Sequence, residues 1–362
     1  MRVFLLSNYN PASVSFYVKR ALEKIADDLK CFSSKIIEDS WIKCSEDIDV
    51  VKLIESYEKK PDFILFVECN SPPFLLPKNL DKVKIPTAWW AIDNHLNFRW
   101  HKEYANYFDF VFFAQKEYVP FAERYGLKNV RWLPLACDAE IHKDYLIERI
   151  YDVGFVGYLN SKRGKLFSEL NEHVNIKNFQ GLNPYEMAKV YSQSKIGINI
   201  CAREDLNMRT FEVMSSGAML LMQKIDAGIL DLFTEGEHFV FHDLKNTQEQ
   251  IKRYLINSDE RNRIAENGKI FVRQNHTYVH RVQQILNSIF LYDSSKQKTN
   301  TRNYKFYVQL GLTYSKLKHK ETAKSFFSLS KKKNASGYYL YRLRYILFYC
   351  IEKYNKFKKV RF

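Results

Sequence analysis

Apolar positions along the chain follow two alternating rhythms. Residues 3–6, 63–67, 85–92, 110–113 and 130–133 are compact apolar runs with the length and the β-branched or aromatic character of buried strands. Between them, residues 13–29 repeat apolar side chains at helical period (Val14, Val18, Ala21, Leu22, Ile25, Leu29). Residues 48–57 and 117–125 do the same, the last closed by Gly126. Strands apolar on both faces, alternating with amphipathic helices, predict a parallel sheet covered on both sides.

The pattern then restarts. Strands are predicted over 151–156, 176–179, 195–200, 218–222 and 238–241. Helices are predicted from Ser161, from Asn183-Pro184 with proline at the first helical position, and over 210–216 and 229–233. Three more follow at 245–256, 259–273 and 277–291. The fold class expected is therefore α/β with two Rossmann-like parallel-sheet domains, 1–150 and 151–292. A polar linker at 293–301 leads to a basic helical appendage over 302–362. There Tyr307-x2-Leu310-Gly311-x2-Tyr314 and Ala323-x3-Phe327 resemble tetratricopeptide spacing, with Ala335 where that repeat usually has proline. Lys331-Lys332-Lys333 reads as a solvated turn between helices.

Charge sharpens this division. The net charge of +15 arises wholly in the last 70 residues, which carry 18 Lys and Arg against 3 Asp and Glu. The rest of the chain is neutral, which argues against a nucleic-acid-coating protein and makes nucleic acid the least expected partner. The tail suits a peripheral position at the inner face of a membrane, an acidic protein partner, a second copy of the chain or the body of the chain itself; docking on a membrane or partner is the favoured expectation. The six cysteines form no CxxC pair, and no apolar run approaches the ~18 residues of a spanning helix. A cytoplasmic protein with reduced thiols is expected.

Candidate chemistry lies in the loops after predicted strands, where open α/β sheets bind ligands. After the strand ending at Ile200 comes Glu204-Asp205-Leu206-Asn207-Met208-Arg209-Thr210-Phe211-Glu212. Asn207 stands where a cap belongs, and exposed amides of the following helix would hold an anion. Arg209 offers a planar fork for phosphate, and Glu212 an acceptor for two ribose hydroxyls. The blander reading makes Glu204 and Glu212 solvated charges.

Glu204-x7-Glu212 followed by Met214-Ser215-Ser216-Gly217-Ala218 resembles the donor-site signature of retaining GT-B glycosyltransferases. More narrowly, Asn207-Met208-Arg209-Thr210-Phe211-Glu212, with His276-Thr277-Tyr278-Val279-His280-Arg281, is similar to the CgeB-like family over about residues 1–292. The resemblance implies a GT-B-like fold and a nucleotide-sugar donor held by Gly157, Ser161, Arg163, Asn207, Met208, Arg209, Thr210 and Glu212. It implies transfer to a glycan, lipid-linked or protein acceptor, with retention. The small-residue loop usual after the first Glu is replaced here by Asp205-Leu206-Asn207-Met208.

In the first half, Trp89-Trp90-Ala91-Ile92-Asp93-Asn94-His95 ends a predicted strand. Asp93 is the candidate base or acceptor-hydroxyl ligand, and His95 the candidate contact to the donor sugar; the alternatives are a helix cap and a surface histidine. Glu204 completes the catalytic candidates, since it would lie nearer the sugar than Glu212. Glu68-Cys69-Asn70-Ser71-Pro72-Pro73 is a further strand-end loop suited to the acceptor side. His238/His242 and His276/His280 have a spacing open to zinc, yet no carboxylate or cysteine sits at a matching distance, so no metal or other cofactor is expected. Two rival functions share these features: a nucleotide-sugar epimerase of the same fold, and a non-catalytic sugar-nucleotide-binding scaffold.

Overall fold

The computed structural model describes residues 1–35, 38–69, 74–172, 174–201, 203–290 and 304–343. The first sheet is built from β1 (Arg2–Leu6), β2 (Asp28–Ser33), β3 (Trp41–Lys43), β4 (Phe63–Val67), β5 (Thr87–Ala91), β6 (Phe110–Phe113) and β7 (Val130–Trp132). All seven strands are parallel, in the order β3-β2-β1-β4-β5-β6-β7. Every residue of β4, β5 and β6 is buried, which is why these strands read as unbroken apolar runs.

Two elements depart from the sequence pattern. The helical period read as far as Leu29 stops at Glu23, where α1 (Val14–Glu23) ends, and residues 28–33 form β2. Pairing with β1 decides this stretch: Leu5 lies opposite Cys31 and Leu6 opposite Phe32. The edge strand β3 also escapes the pattern because only Trp41 of its three residues is buried. The helices α2 (Val50–Glu55), α3 (Asn94–Tyr104) and α4 (Tyr118–Arg124) complete this half.

The second sheet contains β8 (Tyr151–Val156), β9 (Ile176–Phe179), β10 (Ser194–Asn199), β11 (Met219–Gln223) and β12 (Val240–His242), parallel throughout, in the order β12-β11-β10-β8-β9. Its helices are α5 (Ser161–Asn171), α6 (Pro184–Ser192), α7 (Met208–Ser215), α8 (Thr247–Ile256) and α9 (Ser258–Asn275). The Asn183-Pro184 start of α6 is a full capping box: Asn183 accepts from the Glu186 amide, and Glu186 reaches back to the Asn183 amide.

After α9 the chain crosses back, and α10 (Tyr278–Phe290) packs on α1 of the first half. Tyr278 stacks on Tyr17 at 5.1 Å. The buried Arg281 guanidinium donates to the Pro134 and Leu135 carbonyls and meets His276 Nδ1 at 2.8 Å. One apolar core runs from α1 and α10 through to α7 and β11, so the halves share an interior.

The tail corrects an expectation. The helices α11 (Tyr304–Lys316) and α12 (Lys320–Lys333) pack on the first half, where Phe306, Leu310, Tyr314 and Phe326 join the core of Trp89, Trp100 and Tyr107. Tyr314 donates to the Pro77 carbonyl at 2.7 Å, His319 Nε2 lies 3.0 Å from the Phe74 carbonyl, and Thr322 bonds Asp47. This part of the tail docks on the body of its own chain, because its aromatic face finds an apolar face there. A Cβ at Gly311 would come within 2.5 Å of the Phe327 ring, so glycine permits the close crossing of α11 and α12. Lys331–Lys333 form the last turn of α12 and not a connection between helices. Residues 335–343 are helical; the linker at 293–301 and the end of the tail lie outside the described residues. No described helix is long and apolar enough to cross a membrane.

Candidate active site

Each sheet reverses its strand order once, between β1 and β4 in the first and between β8 and β10 in the second. Chain leaving the carboxyl ends of strands at such a point diverges to opposite faces and opens a crevice. A cavity of about 330 Å³ lies at the second reversal, walled by Val156 at the end of β8, by Asp205, Asn207, Met208, Arg209 and Glu212 after β10, and by Arg163. Leu182, Pro184 and Met187 form an apolar side, and Ala12 of the first half closes it.

Two arginines dominate its electrostatics. Arg209 donates from Nε and Nη2 to the Val156 carbonyl at 3.2 and 2.9 Å, and from Nη1 to Asn199 Oδ1 at 2.9 Å. Arg163 donates to the Ile200 carbonyl at 3.1 and 2.6 Å and to the Tyr158 carbonyl at 3.0 Å. Both guanidinium groups lie over the Phe155 ring, at 4.3 Å for Arg209 and 5.4 Å for Arg163. Burial, with Arg209 close by, pulls Arg163 below the usual arginine range. Among the described residues neither arginine forms a salt bridge, so two cations meet only neutral acceptors at the cavity wall. An anion would satisfy both.

The start of α7 adds to this positive end. Asn207 takes the cap position, but its side chain accepts from Asn199 Nδ2 at 3.0 Å and caps no helix amide. The first-turn amides are thus left without a side-chain acceptor, the arrangement that binds anions. Gly157 lies between the two arginines' anchors with φ of +152°, and a Cβ there would come within 2.6 Å of Arg209 Nη2. Only glycine lets Arg209 lie flat across the strand end.

Glu212 forms the cavity floor and is 4% exposed. Burial raises its carboxyl to about 7, with Arg209 pulling the other way. His142 Nε2 is 3.8 Å from it. Thr210 is fully buried and faces away from the cavity: its hydroxyl bonds Asn199 Nδ2 at 3.1 Å and Met222 Sδ at 3.7 Å. Ser161 is exposed at the first turn of α5, where Asn160 supplies the cap, and does not line the cavity. Glu204 is exposed with left-handed backbone, φ of +56°, and its neighbour Asp205 stands on the wall in its stead. Position in the loop could not separate the two carboxylates. The apolar side of the cavity was also missed; its only sequence signal was the capped start of α6 after a strand.

Across the crevice, Asp93 takes the N-cap position of α3 without bonding its first turn through the side chain. His95 is half-buried on the next turn, its Nδ1 enclosed and without a hydrogen-bond partner. Burial lowers its pKa, opposed by the nearby Asp205 carboxylate of the second half. His95 of the first half and Asp205 of the loop after β10 therefore approach one another. Glu68 is buried beneath this turn, and Asn70–Pro73 of its loop lie outside the described residues. Among the described residues no three His, Cys, Asp or Glu side chains gather as a metal-ligand set, and the two histidine pairs acquire no further ligand.

Comparison with known proteins agrees with this geometry. Residues 147–287 match the family model described as "Glycosyl transferase-like". An alpha-1,6-glucosyltransferase of Actinobacillus pleuropneumoniae serotype 7 (strain AP76) is 29% identical over 139 residues. That match spans 35% of this chain and 41% of the relative, less than half of the curated protein's length. In fold, HepE of Anabaena, solved with UDP and glucose, is similar with a TM-score of 0.62 and 11% identity, over 81% of this chain and 100% of that one. Sucrose-phosphate synthase of Thermosynechococcus elongatus is similar with a TM-score of 0.56 and 12% identity, over 80% and 99%. The chain has the GT-B fold, two parallel α/β sheets set about a crevice, with a glycosyltransferase-like second half.

Proposed function

We propose that this protein is a glycosyltransferase that moves a sugar from a nucleotide-sugar donor to a glycan, lipid-linked or protein acceptor. The observation that carries the reading is the pair Arg163 and Arg209, two guanidinium groups facing a cavity beside uncapped helix amides, neither of them in a salt bridge among the described residues. A diphosphate fits that charge pattern. The apolar side at Leu182, Pro184 and Met187 suits the flat face of a base, and Glu212 suits ribose hydroxyls.

In this reading the second half binds donor and the first half acceptor. As the glycosidic bond to the nucleotide breaks, negative charge grows on the leaving diphosphate. Arg163, Arg209 and the α7 amides meet it without reorganising, which is the main source of rate acceleration in such sites. These groups supply the stabilisation without a metal ion. Asp93 takes the proton of the acceptor hydroxyl or holds it, and His95 and Asp205 address the sugar. Retention of anomeric configuration is part of the proposal, as the Glu204-x7-Glu212 resemblance implies. UDP-glucose is the first donor to test, because the HepE structures hold UDP with glucose or UDP-glucose and the curated relative is a glucosyltransferase.

The test is binding of UDP and uridine to the full chain. UDP at about 100 times its Kd should stabilise the fold by about 2.7 kcal/mol. Arg209→Ala should cost UDP about 1.5–3 kcal/mol, the range for a hydrogen bond to a charged group, and uridine much less. Equal losses for both ligands would mean that Arg209 does not meet phosphate.

A further inference from the structure

Glu68, at the end of β4, is a carboxylate with 4% exposure in the interior of the first half. It is fully occupied. Oε2 accepts from the backbone amides of Ile92 at 2.7 Å and Asp93 at 3.1 Å. Oε1 accepts from Asn97 Nδ2 at 3.0 Å and meets His101 Nε2 at 2.9 Å. Burial works against its charge, but His101 and the two amides outweigh it and hold the carboxyl below its ordinary range. All four donors come from one short stretch, the turn that carries Asp93 and His95 and the helix behind it.

The same network continues toward the other half. Asn94 is fully buried; its Oδ1 accepts from the Gln115 amide at 3.3 Å. That fixes its Nδ2 as the donor to His101 Nδ1 at 3.0 Å, and so leaves the imidazole proton on Nε2, facing Glu68. The Gln115 side chain then clasps Leu206 by both backbone groups: Oε1 accepts from its amide at 3.1 Å, and Nε2 donates to its carbonyl at 3.5 Å. Leu206 lies between Asp205 and Asn207, both on the wall of the cavity.

Stability alone is a poor reason for such an arrangement, since an apolar replacement of a buried charged cluster is often as stable. Its geometry suggests another. We propose that Glu68 is a positioning residue. It fixes the Asp93–His95 turn, and His101, Asn94 and Gln115 tie that turn to the donor loop at Leu206, so that acceptor-side groups meet the donor at a set distance. The proposal rests on the glycosyltransferase reading above.

The experiment compares full-length wild type with Glu68→Gln, Gln115→Leu and the pair His101→Gln and His101→Leu. Two quantities are measured on each: UDP affinity by calorimetry, and the turnover of UDP-glucose with water as acceptor. Misplacing a reacting group by about 1 Å costs about 10²-fold in rate. Glu68→Gln, whose amide hydrogens face donors, should lose turnover on that scale while UDP affinity stays nearly unchanged. Gln115→Leu, which leaves the Glu68 cluster whole, should move in the same direction. His101→Gln keeps a donor toward Glu68 and should retain most turnover; His101→Leu should not. If Glu68→Gln does not fold, the His101 pair and Gln115→Leu decide the matter. Unchanged turnover in Glu68→Gln, equal turnover in the two His101 variants, or a loss of UDP affinity matching the loss of turnover would each overturn the proposal. A wild type that neither binds UDP nor turns over UDP-glucose would instead refute the reading on which it rests.

Discussion

Glu212→Gln should make the empty protein more stable and the donor site worse, and the first effect can be worked from the structure. The wild-type carboxyl is held at about 7 by burial, against 4.5 for the free group. Between these values the unfolded chain has released its proton and the folded chain has not. The folded state therefore binds more protons there, and stability falls as pH rises from about 4.5 to about 7, then levels off. Spread over that interval, the loss is about 3 kcal/mol. Glutamine keeps the shape and removes the titration. The variant should match wild type near pH 5 within the small cost of altered contacts, and exceed it by up to about 3 kcal/mol at pH 8. The groups that face Glu212 do not blur the comparison. Burial lowers His142 to about 4, below most of this interval, and raises Tyr17 and Tyr278 above the ordinary tyrosine range. Equilibrium urea denaturation at pH 5, 6, 7 and 8 measures the difference. Far-UV circular dichroism is the appropriate signal, because all five tryptophans lie in the first 132 residues and fluorescence would miss the second half. Curves for the two proteins that stay parallel in pH would refute the reasoning, for Glu212 would then not be a buried carboxyl with a raised pKa. With UDP present the variant's lead should shrink, since the ionised carboxylate offers one charged oxygen to each ribose hydroxyl and glutamine a single neutral one.

Asp93→Asn should lower turnover of UDP-glucose by about 10²–10⁴-fold, the range for losing a general base, with UDP affinity in calorimetry nearly unchanged. Gly157→Ala should weaken UDP binding in the same assay, because its φ of +152° disfavours a side chain and the new methyl displaces Arg209. Truncation after Phe290 should lower the unfolding midpoint sharply or abolish folding. It uncovers the face that Phe306, Leu310, Tyr314 and Phe326 bury, each worth about 1.5–3 kcal/mol; an unchanged midpoint would show that this packing contributes little.

The alternation of strand and helix was legible because a parallel sheet buries both faces of its central strands. Such strands can only be continuous apolar runs, and β4 and β6 were read to within a residue on that signal. The gathering of the loop after β10 was legible because it is local: Asn207, Met208, Arg209 and Glu212 reach one cavity within two helical turns. What failed in the sequence was whatever another part of the chain decides. Leu29 fits the helical period read from residue 13, yet β1 recruits residues 28–33 as a strand. The basic aromatic tail reads as a surface for a foreign partner, and the structure gives its described helices an apolar face of the same chain. Asp205 and Glu204 are adjacent acids with the same sequence signal; a left-handed turn at Glu204 sets which of them faces the cavity. Glu68 read as one polar residue in a loop, because its four donors lie 24 to 33 residues further on. Periodicity records which faces a segment can bury, and a motif records groups within a few residues. Which face meets which, and which distant donor reaches a buried carboxylate, is set only when the sheets close on each other, since those contacts join parts of the chain that have no fixed separation in sequence.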